Sequence, residues 1–181
     1  MTDSSFDDII DTYTGFEHLY HTYDEYNADM KEINYERKNN FQYDHDVKHL
    51  SDAVFPTPAF PVEGMLYGHR NRQMVPLVFQ NERDPTSKIL NVWCVVDTNA
   101  AFTCLSVKTL EAFVGEGNVN PRGYYRFFVQ EPDLVVECMV SKVGSAFEHA
   151  DILGMDALAR LKASPIINWS SYTFRLQRFE S

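Results

Sequence analysis

The feature that most constrains this chain is Ile89-Leu90-Asn91-Val92-Trp93-Cys94-Val95-Val96, followed at once by Asp97-Thr98-Asn99. Eight nearly continuous apolar residues, rich in β-branched and aromatic types, read as a strand buried on both faces. A strand of that kind needs neighbours on both sides, so the surrounding sequence must supply a sheet. The polar triplet that stops it reads as a turn.

The neighbours are legible. Met74–Phe79 is a second apolar run, joined to the first through the polar Asp-Pro stretch 80–87, which predicts a hairpin. A short helix follows the turn, with Ser106 as N-cap, Val107, Leu110 and Phe113 on one side, and Gly115 as its stop. Tyr124–Val129 and Leu134–Val140 read as strands. Ile152–Leu161 runs from a strand end through Gly154 into a second short helix, capped by Asp156. Ile166–Trp169 and Tyr172–Leu176 close the chain as a hairpin around Ser170-Ser171. The expectation is a mostly β domain with two short helices.

Composition divides the chain. Residues 1–50 carry 12 acidic side chains and 4 Lys/Arg, whereas the other 131 carry 14 and 12. Three prolines then fall within Pro56–Pro61, a density that favours extended chain over helix. The division expected is an acidic, aromatic-rich arm at 1–50, a Pro-rich linker at 51–64 and a domain at 65–181. In the arm, Phe6, Ile9, Tyr13, Phe16, Tyr20 and Tyr23 are spaced alternately 3 and 4 apart, which would place them on one face of a helix. Two readings stay open: a segment that folds against a protein partner, or a solvated acidic tail.

A formal charge of −10 and a pI near 4.9 argue against nucleic-acid binding by general phosphate attraction. No apolar run reaches the roughly 18 residues of a membrane helix, and the acidic N-terminus is unlike a signal peptide. Three cysteines without a CxxC fit neither a disulfide framework nor a zinc site. The spacing of His18, His21, His45 and His49 matches no usual metal site. His149 and Asp151 are read as a surface pair. An intracellular protein of cytoplasm or nucleus, with no cofactor, no metal and no membrane contact, is expected.

Val95-Val96-Asp97-Thr98-Asn99-Ala100 resembles the catalytic loop of retropepsin-like aspartyl proteases, apolar-apolar-Asp-Thr/Ser-Gly-Ala/Ser. Ile152-Leu153-Gly154-Met155-Asp156-Ala157-Leu158 resembles that family's second signature, apolar-apolar-Gly-x-Asp/Asn-x-Leu, which lies beside the loop. The resemblance spans roughly residues 74–178. It implies a retropepsin-like half-barrel with two short helices, preceded by the arm. It further implies a dimer, with itself or with a related domain, in which each subunit contributes Asp97 and the Thr98 hydroxyls brace the two loops. Two facing carboxylates share a proton, one acting as base on water while the other polarises the scissile carbonyl. Asn99 stands where the family has Gly, and Asn99 with Ala100 would flank substrate backbone. Residues 115–123 are the candidate for a covering flap. The functional expectation is a degenerate site on a dimerising interaction module, with an active homodimeric endopeptidase as the alternative.

Overall fold

The computed structural model describes residues 47–67, 71–145 and 147–179. The aromatic set Phe6–Tyr23 and the remainder of residues 1–46 lie outside the described residues. Nine strands form one sheet: β1 Val62–Tyr67, β2 Arg72–Asn81, β3 Ile89–Val96, β4 Cys104–Leu105, β5 Tyr124–Val129, β6 Val135–Val140, β7 Ile152–Leu153, β8 Ala163–Asn168 and β9 Thr173–Arg178. Among the described residues two helices interrupt them, α1 Val107–Val114 and α2 Met155–Leu161. The mostly β architecture with two short helices is therefore as the residue pattern requires.

The strand order is β3-β7-β4-β6-β5-β2-β1-β9-β8, with β2 pairing back onto β3. The long β2 makes this possible, because Met74–Gln80 pairs with β3 while Phe79–Asn81 pairs with β5. Strands β2, β3, β7, β4, β6 and β5 thus close a ring, and β1, β9 and β8 extend from it. Inside the ring pack Val75, Leu77, Phe79, Val92, Cys94, Val96, Phe127, Val136 and Leu153, all buried. This alternation with the outward Met74, Trp93, Val95 and Ile152 follows from the two-residue period of a strand. Trp93 and Phe79 are both buried, each contributing roughly 2–3 kcal/mol to the β2–β3 pair.

Helix α1 begins as expected, with the Ser106 hydroxyl accepting the Thr109 N–H at 3.2 Å. It ends at Gly115, whose φ of 90° suits a residue without Cβ. Phe113 packs on Phe127 with ring centroids 4.8 Å apart, which fixes α1 against β5. The expectation for α2 needs correction. Its N-cap is Gly154, with no side-chain cap, and Asp156 lies inside the first turn with its carboxylate turned mainly to Thr103.

Two segments ahead of residue 65 belong to the packed structure. Val62–Tyr67 is β1, paired with both β2 and β9. Residues 50–53 run antiparallel along β3, with Leu50 N–H donating to Asn91 O at 2.7 Å and Ala53 N–H to Ile89 O at 2.9 Å. The proline-rich stretch between them is held down as well: Gln130 donates to Ala59 O at 2.8 Å, and the Arg178 guanidinium sits 4.5 Å over the Phe60 ring. Composition conceals these contacts because they are mostly backbone pairing and single anchors.

Candidate functional site

Asp97 is placed by the end of β3. Val95 and Val96 pair in parallel with Ile152 and Leu153 of β7, and the Asp97 N–H donates to Leu153 O at 3.1 Å. The chain cannot continue along β7, so it turns. The Asp97 carboxylate accepts the Asn99 N–H at 2.9 Å and its carbonyl accepts the Ala100 N–H at 3.2 Å, an Asx-type turn. Asp97 is half-buried, whereas Thr98 and Asn99 are exposed at the tip. Positive φ among the described non-glycine residues falls at Leu50, Asn71, Gln130, Lys162 and Tyr172, not at Asn99. Asn99 therefore carries no left-handed strain.

Gly154 is the second element of the site. A Cβ on it would lie 2.6 Å from both the carbonyl carbon and oxygen of Phe102, and 3.0 Å from Ala100 O. The Asp97 loop lies flat on this glycine. Met155 N–H donates to Ala100 O at 2.8 Å and Asp156 N–H to Ala101 O at 3.3 Å, so the start of α2 grips the loop's backbone. The structure brings Asp97, Ala100, Ile152, Leu153, Gly154 and Asp156 into one assembly.

Thr103 ties that assembly together, and nothing in the sequence had marked it. Its hydroxyl donates to Asp156 Oδ1 at 2.7 Å and accepts the Gly154 N–H at 3.1 Å, while its own N–H donates to Asp156 Oδ2 at 3.1 Å. The only available signal was a β-branched polar residue just before a strand, a common and uninformative pattern.

Asp151 is not half of a surface pair with His149, which is exposed. It is fully buried and accepts the Ser106 N–H and the Thr109 hydroxyl, each at 2.8 Å. Its histidine is His49, whose Nε2 lies 3.7 Å from Oδ2. His49 Nδ1 accepts the Trp93 backbone N–H at 3.2 Å, and the Trp93 indole donates to Val47 O at 2.9 Å. A buried carboxylate requires such partners, since an unpartnered one would be strongly destabilising. The network explains why α1, β3 and the segment entering the domain meet at this point.

The cysteines are placed as small apolar residues. Cys94 and Cys138 are buried and Cys104 is half-buried. Burial drives the Cys138 thiol well above its ordinary range, and burial with a smaller push from Asp156 raises that of Cys104. Neither is poised as a thiolate nucleophile. Among the described residues no group of three or more His, Cys, Asp or Glu could hold a metal ion.

A groove of about 480 Å³ opens beside the loop. Its floor is the outer face of β5 and β6, and its walls are Phe102 from the Asp97 loop and Asp156 and Arg160 from α2. Phe102 and Tyr124 at its margin are 61% and 57% exposed. Residues 115–123, the candidate flap, instead form turns against β5, with the Asn120 N–H donating to the Tyr125 hydroxyl at 2.7 Å. They contain no strand, so no hairpin from this segment covers Asp97.

No family model matches the chain, and no curated protein does. Among solved structures, a retropepsin-like aspartic protease from Rickettsia conorii aligns with a TM-score of 0.41 and 12% sequence identity, over 67% of this chain and 96% of that one. Among the described residues no helix is long and apolar enough to cross a membrane.

Proposed function

We propose that this chain is a retropepsin-like domain whose site is degenerate, and that it acts as a dimerising protein-interaction module within a complex. The observation that carries the reading is the Asp97 turn: a single half-buried carboxylate, engaged by Asn99 N–H, with Thr98 and Asn99 exposed beside it. Aspartyl chemistry needs a second carboxylate facing the first, which a second subunit would supply. The Asn99 carboxamide stands at the loop tip where a substrate backbone would approach. The acidic arm supplies a second attachment point for partner proteins.

One observation favours the alternative, an active homodimeric endopeptidase. The loop is fully braced on Gly154, Met155 and Asp156 despite Asn99, so the support that catalysis requires is intact. Digestion of a peptide library by the purified chain and by Asp97→Asn, at mildly acidic and neutral pH, separates the two. The module predicts equal, background cleavage by both proteins and a dimer in sedimentation. Cleavage by the unsubstituted chain alone would establish the protease.

A further inference from the structure

One flank of β3 carries a row of four backbone N–H groups, at every second residue, ending at Asp97. Asn91 donates to Ser51 O at 2.9 Å, Val95 to Asp151 O at 2.8 Å and Asp97 to Leu153 O at 3.1 Å. The fourth donor, Trp93, is taken by a side chain, His49 Nδ1, at 3.2 Å. Residues 50–53 accompany the first part of β3 and β7 the last, and His49 fills the step between them. Nδ1 accepts only while it carries no proton, so the neutral ring holds its single hydrogen on Nε2. Nε2 faces Asp151 Oδ2 at 3.7 Å, beyond hydrogen-bond reach but close for an ion pair. Asp151 is itself held by the Ser106 N–H and the Thr109 hydroxyl, so it keeps its place when the ring moves. The imidazole leaves 13% of its side chain exposed, which gives a solvent proton access.

We propose that His49 is a proton-operated clasp with two positions. Neutral, it accepts the Trp93 N–H and fixes residues 47–53 on β3. Doubly protonated, it sets N–H against N–H at Trp93, releases that strand and closes on Asp151 as an ion pair. The charge-assisted pair is stronger than the neutral bond it replaces. Imidazole changes charge between about pH 5 and 8, so the exchange falls in the physiological range. Asp151 is the ionisable group set against the ring. The surrounding charges lie outward: Lys48 and Asp52 on its own segment, Lys108 on α1 and His149 ahead of β7 are all exposed, and β3 carries none before Asp97. Asp151 also opposes ionisation of the buried Cys138 thiol, which adds no charge there. The loosened strand is the one that carries Asp97, so the clasp couples pH to the support of the site whether or not Asp97 cleaves.

The test is amide hydrogen exchange of the full chain by NMR, read as protection factors between pH 8 and pH 5. The Trp93 N–H should lose about tenfold in protection at the lower pH, the effect of one lost hydrogen bond. The loss should share its midpoint with the titration of the His49 ring protons. Amides of Phe174 and Leu176 in β9 should keep their protection, which separates local release from unfolding. His49→Asn offers Trp93 a carboxamide oxygen that takes no proton, so its Trp93 protection should not change with pH. If that variant does not fold, the shared midpoint in the parent remains the criterion. Unchanged Trp93 protection, a midpoint apart from that of the ring, an equal loss in His49→Asn, or an equal loss in β9 would each overturn the proposal.

Discussion

Thr103 and Asp156 are 53 residues apart in sequence, and the threonine hydroxyl donates to the carboxylate at 2.7 Å. The same hydroxyl accepts the Gly154 N–H and the Thr103 N–H reaches the other carboxylate oxygen. Three hydrogen bonds thereby join the far end of the Asp97 loop to the first turn of α2. The loop's shape is a property of this junction more than of its own sequence.

Removing the hydroxyl tests that statement. Thr103→Val keeps the shape, leaves the Gly154 N–H without its acceptor and leaves Asp156 Oδ1 with the Ala157 N–H alone. The expected loss is about 1–3 kcal/mol, read as a lower urea midpoint with an unchanged denaturant slope. A variant as stable as the parent would show that the junction is dispensable.

Gly154→Ala should act on the same loop by overlap. The added methyl meets the Phe102 backbone at 2.6 Å, and backbone yields less readily than a side-chain end. About 1–3 kcal/mol of destabilisation is expected, together with altered amide shifts for residues 98–102. Asn99→Gly, by contrast, should change stability by no more than about 1 kcal/mol, since position 99 is not at positive φ.

Deleting residues 1–53 should destabilise the domain far more than deleting 1–46. The longer deletion strips His49 from Asp151 and the Trp93 N–H, Val47 from the Trp93 indole, and two paired backbone positions from β3. Several kcal/mol are at stake, since each buried group left unpartnered costs roughly 1–3. Thermal melts of the two truncations, compared directly, decide the matter; matching midpoints would refute the anchoring role.

Glu131 provides a pH prediction. Forked donation from Arg178, at 2.7 and 2.8 Å, holds its carboxyl below the usual glutamate range, outweighing a small opposite effect of burial. The folded state therefore binds this proton less readily than the unfolded chain. The pair's contribution is complete above the unfolded value, about 4.3, and fades as pH falls through the depressed native one. Glu131→Gln should flatten the stability profile below about pH 4.5 by a small amount, because the pair is partly exposed and screened. An identical acid limb in both proteins would contradict this.

The sequence by itself determined the strands and helices with strong patterns. The Ile89–Val96 run could only be a central strand, Ser106 and Gly115 bounded α1, and the apolar pair before Gly154 ended a strand. Two short signatures also led to the expectation that the Asp97 loop lies beside Gly154, and its backbone does pack there. Only the tertiary structure decided that β7 enters beside β3, that Thr103 is the clasp, and that Asp151 answers to His49 rather than to His149. It also paired residues 50–53 with β3 and made Val62–Tyr67 a strand of the sheet. The physical reason is range. Propensity, capping and periodicity act within a few residues and are written locally, whereas these contacts join groups tens of positions apart. Their partners become recognisable only when the ring of β2, β3, β7, β4, β6 and β5 closes and brings them within reach.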